Sequence, residues 1–245
     1  MPTVPPSSAA TNASLGAIAA GLSDRIARID WKGHPVWIKR TERLSWRMRL
    51  QKGNPARALT REVAALQALG ARGLPVPALL GHGADWLAVP DSGPSLADLF
   101  RDGTCPDDDR HAAFAAAGAA LAALHASGFV HGRPSPRDIC WRDGAIRFID
   151  LENCHPEGSW VVRRGLDALV FAFNLHALAR GPAPEVDAAL DAYRAAAPAP
   201  VLAAARRIAT LLRGLEPLTR PWQRRDAGGG EFRAIPPALA AFTQP

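Results

Sequence analysis

Hydrophobic and polar residues alternate in two short stretches near the start of the chain. Residues 25–31 (RIARIDW) and 35–39 (PVWIK) place apolar side chains at every second position, and Lys32-Gly33-His34 separates them. Such alternation is typical of half-buried strands, and a glycine between two strands favours a tight turn. The pattern therefore predicts a β-hairpin whose second strand ends at Lys39.

The next periodic segment has helical spacing. Asn54-Pro55 predicts a helix start, because Asn is a good cap and Pro suits the first helical position. Apolar side chains then recur on one face, at Leu59, Val63, Leu66 and Leu69. Glu62 falls on the same face, and a buried carboxylate needs a cation nearby. After this helix, Trp86-Leu87-Ala88-Val89 is predicted to form a short strand.

The second half of the chain is predicted to be mainly helical, with one further hairpin. Helical patterns cover residues 107–127, 163–180 and 185–213, and a last short helix follows the glycines at 228–230. Two short apolar runs, 139–141 and 146–149, flank the turn Arg142-Asp143-Gly144. We expect Asp138 and Asp150 at opposite ends of this hairpin to converge on one metal ion.

Composition places the chain among globular proteins, with 48% hydrophobic and 21% charged residues. We divide it into a flexible lead at 1–14, a β-rich part at 15–92 and a helical part at 93–245, with a hinge near Ser92. The sequence has no long uncharged apolar run and no secretory signal, so we expect a cytoplasmic protein. Its three cysteines lack a CxxC pair, which argues against a disulfide framework or a zinc site.

The positive charge is concentrated in one segment. Residues 39–61 contain eight lysines and arginines and one acid, Glu42, whereas the whole chain has a net charge of +6. Such a segment is typical of contact with an anionic partner, and we name peripheral contact with the inner membrane as one expectation. A solvated basic face without a dedicated partner is the alternative.

The stretch HGRPSPRDICWRDGAIRFID, from His131 to Asp150, contains the candidate chemistry. In protein kinases a His, an Asp two residues later and an Asn five residues after that precede a metal-binding Asp. The same spacing here gives His131, Arg133, Asp138 and Asp150. An arginine therefore replaces the catalytic base, and a guanidinium does not accept a proton at ordinary pH.

Taken in chain order, Lys39, Glu62 and this stretch resemble the protein kinase-like superfamily over residues 20–215. Within it the chain is similar to the compact bacterial lipopolysaccharide kinases of the Kdo and heptose type, and more distantly to RIO-type and aminoglycoside kinases. The resemblance implies an α+β, two-lobed fold with a small β-rich N-lobe and a helical C-lobe.

The resemblance also implies roles for individual residues. Lys39 would neutralise the phosphates of ATP, and Glu62 would orient Lys39. Asp150 and Asp138 would bind Mg²⁺, because carboxylate oxygens suit a hard divalent cation. His131 would be a structural residue of the catalytic loop. Two further acids complete the comparison: Asp167 would hold the backbone of that loop, and Glu152 is an acid often found two residues after the metal ligand.

Two departures from the kinase pattern leave open whether the protein catalyses phosphoryl transfer. No GxGxxG loop precedes Lys39, since Gly16 and Gly21 are flanked by apolar residues. Arg133 could clamp a phosphate oxygen, or it could pair with Asp138 or Asp150 and exclude the metal.

The sequence therefore allows four functions, and it leaves open whether the chain is an enzyme. The first is an ATP- and Mg²⁺-dependent phosphotransferase acting on a sugar, a glycolipid or another anionic acceptor. The second is a pseudokinase that serves as a nucleotide-binding or scaffold module. The third is an adenylyl transferase. A nucleic-acid binder is the last, and no recognition motif accompanies the basic segment to support it.

Overall fold

The structure is a computed structural model, and it describes residues 9–41, 55–154, 160–223 and 231–243. The chain divides into two compact units. The first unit comprises Met1–Ser92 together with Ile149–Cys154, and the second comprises Gly93–Phe148 together with His155–Pro245. The fold is α+β, as predicted, with a small antiparallel sheet in the N-terminal part and mainly helices in the C-terminal part.

A four-stranded antiparallel sheet forms the centre of the first unit. Its strands are β1 (Ile26–Trp31), β2 (His34–Arg40), β3 (Gly81–His82) and β4 (Trp86–Pro90), arranged in the order β1-β2-β4-β3. The predicted hairpin and the predicted strand at 86–89 are confirmed. Lys32 and Gly33 have φ values of 55° and 80° and form the two-residue turn, a geometry that matches the twist of the flanking strands.

Helix α1 (Ala9–Gly21) packs against one face of this sheet and was not predicted. The part of 1–14 that the structure describes, residues 9–14, is helical and does not form the flexible lead that we expected. Leu15 of α1 is fully buried in a core that includes Val36 and Ile38 of β2. Gly16 lies on the helix, where an added Cβ would be 3.2 Å from the Trp86 ring. Close packing therefore explains this glycine.

Helix α2 (Pro55–Gly70) begins at the predicted proline. Its predicted apolar face is buried, at Leu59, Val63, Leu66 and Leu69. Glu62 lies on that face and is 6% exposed. Residues 42–54, which include most of the predicted basic segment, lie outside the described residues.

The second unit consists mainly of helices. Those in the described residues are α3 (Leu96–Arg101), α4 (Asp107–Ala126), α5 (Val161–Ala179), α6 (Pro184–Ala196), α7 (Ala199–Leu215), α8 (Arg220–Gln223) and α9 (Ile235–Thr243). The predictions of α4, of α5 and of a last short helix are confirmed. The single helix predicted over 185–213 is wrong, because Ala197 and Pro198 are extended and separate α6 from α7. The glycine-rich residues 228–230 lie outside the described residues.

Two glycines allow the helices of this unit to pack closely. A Cβ added to Gly118 of α4 would lie 1.9 Å from the carbonyl oxygen of Ala189 on α6. A Cβ added to Gly165 of α5 would lie 2.7 Å from the backbone nitrogen of Ala205 on α7. Any larger residue at either position would push the two backbones apart.

The second hairpin is confirmed as β5 (Ile139–Arg142) and β6 (Ala145–Phe148). Its turn consists of Asp143 and Gly144, with φ values of 51° and 78°, the Asp-Gly pair that such turns favour. None of the helices in the described ranges is both long and apolar enough to cross a membrane.

Candidate functional site

In the first unit, the Lys39 ammonium lies between two carboxylates. Its Nζ atom is 2.6 Å from Oε2 of Glu62 and 2.8 Å from Oδ1 of Asp150. The side chains of Lys39, Glu62 and Asp150 are 16%, 7% and 26% exposed, so Asp150 is the most open of the three. The structure therefore brings together three of the residues singled out in the sequence, each from a different segment.

The alternation of β2 aims Lys39 at this site. Ile38 and Lys39 are neighbours on a strand, so their side chains point to opposite faces of the sheet. Ile38 packs into the core beneath α1, whereas Lys39 reaches Glu62 on α2. Helix α1 thus lies against one face of the sheet and α2 against the other, and the ion pair of Lys39 is on the face of α2.

The backbone around Asp150 positions its carboxylate. Asp150 has φ 56° and ψ 51°, a left-handed conformation that aspartate tolerates better than most residues. A short 3₁₀ turn follows at Leu151–Asn153, and Leu151 is fully buried. Nε of Arg61 on α2 donates to the carbonyl oxygen of Glu152 at 2.9 Å. This bond ties the turn to the same helix that carries Glu62.

Among the described residues, this site holds more carboxylates than cations. Burial lowers the pKa of Lys39, but the carboxylates of Glu62 and Asp150 outweigh this effect and hold the Lys39 pKa above its ordinary value. Burial raises the pKa of the Glu62 carboxyl, and the Lys39 ammonium counteracts this only in part, while Asp150 and Glu152 add to it. Lys39 is therefore held in its charged form beside the carboxylates of Glu62 and Asp150.

In the second unit, Asp167 of α5 holds the backbone of the loop that begins at His131. The backbone N–H groups of His131 and Gly132 donate to its two carboxylate oxygens at 2.8 and 2.9 Å. Asp167 is 4% exposed, so these charge-assisted hydrogen bonds form away from water. Gly132 has φ 92°, which suits glycine and turns the chain towards Arg133.

Two residues that the sequence analysis missed extend this contact. Nε2 of His125 lies 3.1 Å from Oδ2 of Asp167, and its Nδ1 lies 2.8 Å from the hydroxyl of Tyr193. His125 and Tyr193 are fully buried, and burial raises the pKa of the Tyr193 hydroxyl. The signal in the sequence was a histidine in the apolar C-terminal half of helix α4.

Arg133 and Asp138 lie near each other in the same unit. The closest approach is 3.9 Å, from Nη2 of Arg133 to Oδ2 of Asp138. The Arg133 side chain is 58% exposed and the Asp138 side chain is 16% exposed, so this long contact is open to solvent on the arginine side. The amide of Asn174 on α5 donates to the Pro134 carbonyl at 3.0 Å and supports the loop between them.

The predicted metal ligands fall in different units, Asp150 in the first and Asp138 in the second. Each presents carboxylate oxygens, the donor type that a hard divalent cation prefers. Within the described ranges there is no cluster of three or more histidine, cysteine, aspartate or glutamate side chains arranged to hold a metal.

A sequence profile of the phosphotransferase enzyme family (APH) matches residues 18–147, just over half of the chain. The chain belongs to this family. The matched phosphotransferase segment includes Lys39, Glu62 and Asp138, and it ends three residues before Asp150.

Two curated proteins are similar to this family member. An uncharacterized protein of Haemophilus influenzae is 29% identical over 154 residues, which cover 62% of this chain and 63% of that protein. A probable bifunctional tRNA threonylcarbamoyladenosine biosynthesis protein of Natronomonas pharaonis is 28% identical over 194 residues, or 77% of this chain and 34% of that protein. The chain thus spans less than two thirds of the length of either relative.

Among solved structures, the chain is similar to WbdD in its co-crystal structure with the kinase inhibitor LY294002. The identity is 18% and the TM-score 0.46, and the match covers 71% of this chain and 43% of WbdD.

Proposed function

We propose that the chain is an ATP-dependent phosphotransferase of the lipopolysaccharide kinase-like type, whose acceptor is a sugar, a glycolipid or another anionic molecule. The observation that carries the proposal is the Lys39 ammonium held by Glu62 and Asp150. A buried lysine fixed by a helix glutamate is the device by which kinases neutralise nucleotide phosphates. Membership of the phosphotransferase enzyme family supports the reaction class.

The residues present suit a nucleotide and Mg²⁺. Lys39 supplies a positive charge for phosphate oxygens, and Asp150, whose side chain is 26% exposed, supplies carboxylate oxygens, the donor type that Mg²⁺ prefers. Asp138 is the second carboxylate proposed to hold Mg²⁺. The bound ion would supply positive charge to the phosphate groups.

In the proposed reaction, the bond between the γ-phosphorus and the bridging oxygen of ATP breaks. A new bond forms between that phosphorus and an acceptor hydroxyl, and the hydroxyl proton is released. Arg133 does not take this proton, because a guanidinium stays protonated. Phosphoryl transfer has a loose transition state, in which positioning and charge neutralisation matter more than deprotonation. Arg133 would contribute by binding a phosphate oxygen.

The test is transfer of labelled phosphate from ATP to a lipopolysaccharide or sugar acceptor, with Asp150→Asn beside the wild type. We expect transfer by the wild type and a loss of at least about a hundredfold in the variant, since the metal and Lys39 both depend on this carboxylate. Asp30→Asn, a change on the surface hairpin, is the control. A wild type that binds neither nucleotide nor magnesium would refute the proposal.

A pseudokinase is the second candidate, and the position of Arg133 favours it. The guanidinium lies 3.9 Å from Asp138, where it competes with a cation for that carboxylate. Titration of the wild type and of Arg133→Asp with nucleotide and magnesium separates the two candidates. Nucleotide binding without turnover in the wild type, with tighter magnesium binding in the variant, is the pseudokinase result. Turnover above background in the wild type eliminates it.

We further propose a cytoplasmic location with peripheral membrane contact through residues 39–61. Besides Lys39, which lies in the proposed nucleotide site, this segment has seven basic residues against one acid, and this excess supports attraction to anionic lipids. Vesicles with and without anionic lipid test this contact. Equal sedimentation of the protein with both would contradict it.

A further inference from the structure

The second unit contains a cavity of about 1130 Å³ beside the loop that carries Arg133 and Asp138. Small-molecule sites commonly enclose about 300–1,000 Å³, so this one is large enough for a sugar-sized ligand. Its other lining residues are Ala97, Arg101, Ser135, Pro136, Arg137, Asn174, Ala177, Leu178, Arg180, Glu231 and Arg233. The cavity therefore adjoins the very loop in which the sequence analysis placed the catalytic residues.

Arginine dominates the charge of this cavity. Five arginines line it, at Arg101, Arg133, Arg137, Arg180 and Arg233, against two acids, Asp138 and Glu231. Guanidinium groups remain charged at every ordinary pH and bind phosphate and carboxylate oxygens in pairs. The balance of five cations to two anions makes the cavity attractive to a molecule with several negative charges.

Three of these arginines lie apart from the carboxylates of the described residues. No carboxylate of another described residue lies within ion-pair distance of Arg101, Arg137 or Arg180. They come from separate parts of the chain, namely the end of α3, the loop before β5 and the end of α5. Their convergence on one cavity is therefore a tertiary arrangement that concentrates positive charge, which no described carboxylate pairs with.

The loop wall of the cavity is held in shape from behind. The Asn174 amide donates to the Pro134 carbonyl at 3.0 Å, and the backbone N–H of Asp138 donates to the Ser135 carbonyl at 2.8 Å. Because these hydrogen bonds already order the loop, binding of a ligand has a smaller entropic cost than it would with a mobile loop.

We propose that this cavity is the acceptor site, and that it takes a molecule bearing at least two phosphate or carboxylate groups. The inference rests on the proposed phosphotransferase function and narrows its acceptor to a multiply charged anion. Arg137 and Arg180 are the residues that select this charge. The acceptor hydroxyl lies towards Arg133 and Asp138, the lining residues that belong to the candidate catalytic loop.

Calorimetric titration of the full chain with glucose 1,6-bisphosphate tests the proposal. The double variant Arg137→Gln/Arg180→Gln is compared with Arg206→Gln/Arg207→Gln, which removes two exposed arginines of α7 outside the cavity. We expect affinity to fall at least about tenfold in the first variant and to stay within about twofold in the second. Glucose and a cationic aminoglycoside should not bind measurably to the wild type or to either double variant.

Vesicles distinguish the two sources of such an anion. Binding of the free bisphosphate indicates a soluble acceptor. Binding only to phosphatidylcholine vesicles containing cardiolipin, a lipid with two phosphates, indicates a lipid headgroup if it is lost in Arg137→Gln/Arg180→Gln, and either result supports the site.

The variant Lys39→Met separates this proposal from the one on which it rests. It should lose nucleotide binding and keep affinity for the bisphosphate. Equal bisphosphate affinity in wild type and Arg137→Gln/Arg180→Gln, or no binding to any of these anions, overturns the acceptor site. The phosphotransferase proposal then stands if nucleotide still binds through Lys39.

Discussion

The Nζ atom of Lys39 lies 2.8 Å from Oδ1 of Asp150, although 111 residues separate the two in the chain. Closing so long a loop has an entropic cost, so a contact of this kind depends on the packing of the elements that carry it. Here those elements are β2, and a buried turn that α2 secures through Arg61. The fold of the first unit therefore fixes the position of the Lys39 ammonium before any ligand binds.

Replacing Lys39 with methionine should abolish nucleotide binding. The change removes the cation proposed to meet the phosphates and leaves two carboxylates facing each other, so we also expect a loss of stability of up to about 3 kcal/mol. Titration with a non-hydrolysable ATP analogue, together with urea unfolding, measures both effects.

The matched control is Arg28→Met on the neighbouring strand β1. Arg28 forms an ion pair with Asp91 at 3.2 Å, and the two side chains are 56% and 12% exposed. Because water screens the arginine, we expect the pair to contribute about 1 kcal/mol, and its loss should leave nucleotide affinity unchanged. Equal affinities for the analogue in Lys39→Met and wild type would contradict the role proposed for Lys39.

Glu62→Gln should lose function without losing stability. The raised pKa of Glu62 means that the folded state disfavours its charged form, so this carboxyl favours folding below its unfolded pKa and loses that contribution as the pH rises. A neutral glutamine avoids this loss. The free energy of unfolding of the variant relative to wild type should therefore increase as the pH rises above about 4, the ordinary pKa of glutamate.

Urea unfolding of both proteins across this pH range provides the measurement, and binding of the ATP analogue shows the accompanying loss. A variant that becomes progressively less stable than wild type as the pH rises would show that the Lys39 ion pair outweighs the burial of Glu62.

Asp167→Asn should destabilise the second unit by about 2–3 kcal/mol. Its two oxygens accept from the backbone of His131 and Gly132, and an amide offers only one acceptor in place of two. Denaturant unfolding measures the change. Asp191→Asn is the control, because Asp191 pairs with Arg194 at the surface and is 68% exposed. Similar destabilisation by both variants would mean that the buried hydrogen bonds contribute little.

Two glycine substitutions should have opposite effects on the stability of the fold. Gly118→Ala would place a methyl group 1.9 Å from the Ala189 carbonyl, so we expect a loss of about 3 kcal/mol or more, or failure to fold. Gly214→Ala on α7 meets no atom within 4 Å and should stabilise by up to about 1 kcal/mol through helix propensity. Thermal unfolding compares them, and a neutral Gly118→Ala would disprove the close contact between α4 and α6.

Local patterns predicted much of the fold. Both hairpins follow from alternation and from turn residues with positive φ, at Lys32-Gly33 and Asp143-Gly144. Helix α1 escaped prediction because its stretch is rich in alanine and has no clear apolar face. Burial of Leu15 and Ala19 under the sheet stabilises it, and that is a tertiary effect.

The candidate site was predictable to the extent that it follows a sequence motif. Lys39, Glu62 and Asp150 stand in a recognisable order, and the structure brings them into contact. Tyr193 meets His125 across 68 residues, and no spacing rule connects them. The same holds for the arginines of the cavity, which come from several segments and share only their position in three dimensions.

Asp167 binds the backbone N–H groups of His131 and Gly132. Every residue except proline has such a group. The shape of that bend is consequently insensitive to the side chain that comes next. The two hydrogen bonds therefore hold the same bend whether an acid or a base follows at position 133, and the residue there changes only the chemistry at the tip of the loop.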